Sequence, residues 1–155
     1  MDFCLLADEP KSAELVAIWY YEQWCRKSGR YSLDQIRNKV SSSTSRSGAP
    51  MIVLAKQDGN FIGAAELKIR EMAMFPQYEF WLGGVYVCEH CRGQGVASAL
   101  VEEIFHQARL AKIDRLYLQT EDLSGGLYLN FGFTHLHQVD SKGVNVTVMA
   151  ANISK

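Results

Sequence analysis

The feature that most constrains this chain is a glycine turn set between a strand and its longest amphipathic stretch, Val87-Cys-Glu-His-Cys-Arg-Gly-Gln-Gly-Val-Ala-Ser-Ala-Leu100. At such a junction the first helical amides have no internal partners, and the helix dipole adds partial positive charge. An anion fits there directly. Gly93 and Gly95 remove side chains where a pyrophosphate must approach the backbone. Ala97 keeps the next turn small, and Arg92 either adds charge or fixes the loop. The same stretch carries a competing signal, because Cys88-Glu-His-Cys91 has the spacing of a metal or redox site.

The competing signal lacks its complement. A structural zinc needs four ligands, and the sequence contains no second C-x-x-C and no H-x₃₋₅-H. A thioredoxin-like pair would open a helix, whereas Cys88 ends a strand and Cys91 precedes the turn. No metal is expected, and Cys4, Cys25, Cys88 and Cys91 read as reduced thiols. Two familiar phosphate motifs also fail. The dinucleotide pattern G-x-G-x-x-G meets Ser98 at its last glycine, and the nucleoside-triphosphate loop lacks its lysine and hydroxyl neighbour.

Around the turn the chain alternates strands and helices. Asp2–Ala7 suits a first strand, and Asp8-Glu-Pro10 reads as the start of a helix running to about Trp24 with Leu15, Ile18, Trp19 and Glu22 in phase. Ser32-Leu-Asp-Gln35 is a capping box for a second helix with Leu33, Ile36 and Val40 on one face. Ser41–Ala49 reads as a solvated loop. Met51–Ala55 and Phe61–Ile69 flank Asp58-Gly59, a hairpin signal. Phe80–Cys88 is a strand. Val96–Lys112 is a helix with Ala97, Leu100, Val101, Ile104, Phe105 and Ala108 in one stripe. Arg115–Thr120 is a strand, Ser124–Asn130 a short helix ended by Gly132, and Phe133–Val139 with Asn145–Ala151 a last strand pair. The order is βααβββαβαββ, an α/β (α+β) arrangement without repeat or linker, read as one domain over residues 1–155.

At 155 residues such a domain buries about 70% of the surface of its unfolded chain. A net charge of −1 gives no reason to expect nucleic acid or an anionic membrane as partner. No apolar run reaches the ~18–20 residues of a membrane span. The opening MDFCLLADEPK has no basic leader and meets Asp8 and Glu9 early, so a cytoplasmic protein is expected.

Three motifs in correct order resemble those of the GCN5-related N-acetyltransferases, the GNAT family. Arg92-Gly-Gln-Gly95-Val-Ala97 matches its R/Q-x-x-G-x-G/A motif, and Val85-Tyr-Val87 looks like its fourth-strand segment. Leu127-Tyr128-Leu-Asn-Phe-Gly132-Phe133 resembles its "fYeklGF" signature. The element order is the family's too, so the resemblance covers essentially the whole chain. It implies a mixed, mostly antiparallel sheet with helices on both faces and acetyl-CoA as co-substrate. Cofactor binding would fall to Val85, Tyr86, Val87, Arg92, Gly93, Gln94, Gly95, Val96, Ala97 and Ser98. Main-chain groups of Val85 and Val87 would pair with the pantetheine arm as an added strand, and amides from Gly93 to Ser98 would hold the pyrophosphate. A strand amide near Val85 would steady the oxyanion, and Tyr128 would protonate the departing thiolate.

An alkylamine has a pKa near ~10, so a base or water relay must take its proton at neutral pH. Glu66, mid-strand among apolar residues in Gly63-Ala-Ala-Glu66-Leu, is the preferred candidate; its bland alternative is a solvent-facing residue sharing a face with Lys68 and Arg70. Tyr128 has a bland alternative as well, a buried aromatic with a satisfied hydroxyl. Glu22, Glu71, Glu79 and Asp122 are weaker candidates for holding a cationic acceptor. Trp19, Trp24 and Trp81 read more as core than as pocket, and His90 and His106 as exposed. His135 and His137 alternate on one strand, which sets them on one side without a carboxylate partner for a metal. The reading is an N-acetyltransferase acting on a primary amine by direct attack in a ternary complex. Its alternative is a catalytically silent acyl-CoA-binding module of the same fold. The acceptor is undetermined by the sequence, and a homodimer stays open.

Overall fold

The computed structural model describes residues Met1–Ile153. Among the described residues seven strands form one sheet in the order β1-β2-β3-β4-β5-β7-β6. They are β1 (Asp2–Leu5), β2 (Met51–Gln57), β3 (Asn60–Ile69), β4 (Phe80–Val87), β5 (Arg115–Thr120), β6 (Thr134–Ser141) and β7 (Val144–Asn152). Helix α1 (Ala13–Tyr20) runs on into a π-helical turn, Tyr21–Cys25, and is followed by α2 (Leu33–Ser42) and α3 (Val96–Leu110). The short helix after β5 is a 3₁₀ turn, Gly126–Phe131, ended by Gly132. Element order and mixed architecture match expectation.

Two packed layers enclose the sheet. Leu100, Val101, Ile104 and Ala108 of α3 lie buried against Ala65 and Leu67 of β3, Leu116 and Leu118 of β5, and Met149 of β7. On the other face, Val16, Ala17, Trp19 and Tyr20 of α1 and Ile36 and Val40 of α2 cover Ile52, Leu54 and Ala64. A third cluster, Trp81, Val146, Val148 and Met72, lies under the β3–β4 loop with Phe75, Tyr78 and Tyr117 packed against it.

Local signals placed most elements. Both halves of the Ser32 box form: Gln35 N–H donates to Ser32 Oγ at 3.1 Å and Ser32 N–H to Gln35 Oε1 at 2.8 Å. The β2–β3 hairpin turns at Asp58-Gly59, and β5 has the expected bounds. Four expectations are corrected. The first strand stops at Leu5, because Leu6–Asp8 wind into a 3₁₀ turn that drops Leu6 into the core. The first α-helix begins at Ala13, after a 3₁₀ turn at Pro10–Ser12 and with no side-chain cap from Asp8 or Ser12, and it is rotated from the expected phase. Leu15 and Ile18 are 37% and 40% exposed while Val16 and Tyr20 are buried, since two adjacent stripes were equally periodic and packing chose between them. The second helix runs on to Ser42, into the expected loop, and α3 stops at Leu110.

Two irregularities of β4 position the site. Register against β3 shifts from Ala64↔Tyr86 to Glu66↔Gly83, so β4 carries one extra residue opposite Ala65. This bulge contains Gly84 at φ +55°. On its other side β4 is parallel to β5 but paired only at Trp81↔Tyr117. Beyond that pair the strands part.

Candidate active site

The parting of β4 and β5 opens a cleft of about 390 Å³. One wall is the β4 segment Val85–Val87, and the opposite wall is Leu127 and Tyr128 of the 3₁₀ turn. The mouth is the glycine turn and the first turn of α3, with Gly93, Gly95, Ala97 and Ser98 facing in. Gly95 is the residue before α3 and has φ +82°, a conformation open to glycine at little cost. A Cβ there would meet nothing within 4 Å, so the bare backbone faces open space. No side chain caps α3 and no acidic residue lies in its first turn. The amides at its start therefore remain available to an anion, and the donor set fits a pyrophosphate.

Arg92 fixes the loop, and because its partners are neutral it also keeps its positive charge at the cleft. Its Nε donates to the Val87 carbonyl at 2.8 Å, Nη2 donates to Gln23 Oε1 at 3.2 Å, and the guanidinium lies 5.6 Å from the Tyr86 ring centre. The turn is thus tied to the end of β4 and to the π-helical turn after α1. One lone pair of the Val87 carbonyl is already engaged, leaving the other for a ligand.

On the α1 face of β4, directly over the bulge, lies a polar cluster. A Cβ on Gly84 would stand 2.4 Å from Glu66 Oε2 and 2.7 Å from Tyr20 Oη. A Cβ on Gly83 would stand 3.0 Å from Glu71 Oε1 and 3.1 Å from the Lys68 chain. Two successive glycines therefore leave room for four polar side chains. Lys68 Nζ is 2.8 Å from Glu71 Oε1 and 3.7 Å from Glu66 Oε2, and Gln119 Nε2 donates to Glu71 Oε2 at 3.1 Å. Burial pushes the Glu66 carboxyl up, against the pull of Lys68. Burial opposes the charge of Lys68, yet the two carboxylates hold it above the usual lysine range. Burial raises Tyr20 well above the tyrosine range, with Glu66 adding to it. Tyr128 is raised too, by burial first and by the charge of Glu71 second.

The structure gathers nearly all the expected residues. Val85, Tyr86, Val87, Arg92, Gly93, Gly95, Val96, Ala97, Ser98 and Tyr128 line one cleft. The side chain of Val96 is buried in the core, so only its main chain can serve a ligand there. Gln94 does not line the cleft; its amide turns back to the His90 carbonyl at 3.4 Å. Glu66 is not exposed on the strand as in its bland reading: it is 8% exposed and lies behind the bulge, not in the cleft wall.

Other residues went unnoticed or were ranked low. Trp24 is 42% exposed and lines the cleft, unlike Trp19 and Trp81, because the π-helical turn shifts it out of the α1 stripe. Glu71 faces Lys68 and Gln119 instead of solvent. Tyr20, flanked in sequence by Trp19 and Tyr21, gave no sequence signal. His135 and His137 do not share a face: the β6 bulge between them sends His135 Nδ1 to Thr147 Oγ1 (3.0 Å) and His137 Nε2 to Tyr78 Oη (2.8 Å). Cys88 and Cys91 are free, and Cys91 is a buried residue of the cleft wall. No helix among the described residues is long and apolar enough to cross a membrane.

Solved structures of low identity share the fold over the whole chain. Aminoglycoside 6'-acetyltransferase type Ii superposes with a TM-score of 0.77 at 15% identity, covering 100% of this chain and 99% of that one. An aminoglycoside 6'-N-acetyltransferase complexed with coenzyme A gives 0.77 at 12%, covering 100% and 98%. The Salmonella typhimurium protein yncA, determined with its cofactor acetyl-CoA, gives 0.76 at 15%, covering 100% and 96%. A comparison with curated proteins finds no match. In sequence, the profile described as Acetyltransferase (GNAT) family matches residues 13–133, a span that holds β4 with its bulge, the glycine turn and Tyr128. With the parted parallel strands and the uncapped helix start inside that span, the chain belongs to the GNAT family of acetyltransferases.

Proposed function

We propose that this protein transfers an acetyl group from acetyl-CoA to a primary amine by direct attack while both are bound. What supports the reading is one arrangement: a cleft walled by the β4 segment Val85–Val87, with an uncapped α3 at one end and Tyr128 in its lining. Main-chain groups of Val85 and Val87 hold the pantetheine arm, and amides of Gly93 to Ser98 hold the pyrophosphate. The amine lone pair forms the new C–N bond as the C–S bond breaks. The thiolate takes its proton from the Tyr128 hydroxyl, and the ammonium proton goes to Glu66, directly or through water. Burial raises the proton affinity of Glu66, the direction a base working at neutral pH requires. It raises Tyr128 as well, so this hydroxyl keeps its proton past the usual tyrosine value of about 10. The setting is the cytoplasm, where thiols such as Cys88 and Cys91 stay reduced.

The test is Tyr128→Phe, assayed by thiol release from acetyl-CoA across an amine panel. Turnover is expected to fall by about 10²-fold, the usual yield of a positioned acid, with CoA affinity unchanged. Unchanged turnover removes Tyr128 from the chemistry. CoA binding with no turnover of any amine by the wild type would favour a silent binding module.

A further inference from the structure

Past the cleft end of β5 a bridge joins distant parts of the chain. Pairing of β7 with β5 begins at Thr147↔Thr120, yet β7 itself begins at Val144, so the β6–β7 turn projects past the cleft end of β5. There it meets the loop between α1 and α2. Lys142 Nζ donates to Tyr31 Oη at 2.5 Å, and Arg30 Nη2 donates to the Lys142 carbonyl at 3.4 Å. The bridge lies on the α1–α2 face, the face that carries the polar cluster.

Its charge is one-sided. The ammonium groups of Lys39 and Lys142 lie 5.1 and 5.0 Å from the Tyr31 ring centre, and Arg30 is the residue beside it. Among the described residues none of these three cations is in an ion pair. Of the neighbouring acids, Asp34 and Glu14 hold Arg37, while Asp140, in the same hairpin, accepts from the Gly143 amide at 2.8 Å and pairs with none of the three cations. The inner end has the opposite character. Glu66 and Glu71 share one lysine, and Tyr20 Oη is fully buried without a hydrogen-bond partner among the described residues. A buried hydroxyl is costly to leave unpaired, so Tyr20 Oη is a ready partner for a polar group that reaches it. An ammonium, with its several donors, suits Tyr20 Oη and Glu66 Oε2 together.

We propose that the acceptor is a primary amine carrying an anionic group at its other end, its nitrogen entering from the cleft side of the bulge toward Tyr20 and Glu66 and its anion at Arg30, Lys39 and Lys142. The proposal rests on the acetyl-transfer reading above and adds the acceptor's charge pattern. A carboxylate and a phosphate offer the same chemistry to these cations, and Arg30 can take either in two parallel bonds. A polycation would meet three like charges at the bridge.

The experiment compares ω-amino carboxylates of two to six carbons with diamines of matched length. The n-alkylamines serve as the neutral reference, and 2-aminoethyl phosphate stands for the second anion. At low salt, kcat/KM for the best amino carboxylate or for the phosphate is expected to exceed that of the matched diamine at least tenfold, and 0.5 M salt should compress the ratio. Lys142→Ala and Arg30→Ala together should raise KM for the anionic amine with kcat retained, collapsing the preference, while Arg109→Ala on α3 leaves it intact. Equal or better use of diamines overturns the proposal, as does a double variant that lowers kcat alike for anionic and neutral amines. If no amine is turned over, the acetyl-transfer reading fails, and calorimetry on the CoA complex still decides the inference. Tighter binding of 4-aminobutyrate than of 1,4-diaminobutane supports it; equal or weaker binding sinks it.

Discussion

At Glu66 the chain holds a carboxylate in a place poor in water. Its pKa is raised in the folded state, chiefly by burial, so the folded protein binds this proton more tightly than the unfolded chain does. The stability linked to that group is fully present below the unfolded glutamate value of about 4.3. It is lost as pH rises through the higher folded value. Glu66→Gln is therefore expected to melt at a higher temperature than the parent at pH 8, with the gain gone near pH 4. A thermal scan across pH checks this, and a lower melting temperature at pH 8 would mean that the Lys68 contact outweighs desolvation. Glu66 was legible in the sequence because a lone acid among Gly63, Ala64, Ala65 and Leu67 is expensive to bury without a role. Tyr128 was legible through its signature. Tyr20 was not, since an aromatic on a helix gives no sign of whether its hydroxyl finds a partner.

At the scale of the element, β4 determines more than any helix. The extra residue at Gly84 lets Tyr20 and Glu66 lie over its backbone and leaves Val85–Val87 along the cleft. Gly84→Ala places a Cβ 2.4 Å from Glu66 Oε2 at a φ of +55°. A loss of about 1–3 kcal/mol of stability follows from the strained backbone alone, measurable as a lower denaturation midpoint. A change within about 0.5 kcal/mol, the range of an ordinary surface substitution, would show that the cluster yields easily. The hairpin at Asp58-Gly59, the Ser32 box and β5 were legible because each is set by residues adjacent in sequence. The phase of α1 was not, because Leu15-Val16 and Ile18-Trp19 offer two apolar stripes and only the sheet beneath selects one. The bulge was also hidden, since Gly83-Gly84 in a strand announces an irregularity without saying which partner requires it.

At the scale of the whole molecule, the sheet is two sets of strands joined at one parallel contact, Trp81↔Tyr117, and held together below by α3. On the proposed function, CoA in the opening would touch both sets and add main-chain partners to β4. Saturating CoA, at about 100 times its dissociation constant, should stabilise the fold by about 2.7 kcal/mol. Slower amide exchange is expected at Val85, Val87 and Gly95 to Ser98. Protection confined to other strands would move the cofactor path elsewhere. The hairpin bridge at Tyr31 and Lys142 belongs to this scale too, for it joins the two sets across the opening.

What the sequence determined by itself was the order of elements, the glycine turn before α3 and the family those motifs belong to. Each rests on short-range patterns: apolar periodicity, caps and turn residues. What only the tertiary structure decided was which groups meet. Tyr20, Glu66, Lys68, Glu71 and Gln119 come from one helix, one strand, a loop and a distant second strand, and they share one space because β4 bulges and parts from β5. The role of Arg92 as a brace was decided the same way, by a carbonyl and a glutamine that folding brought within reach. Side-chain direction and burial depend on packing from far along the chain, and no local pattern encodes them.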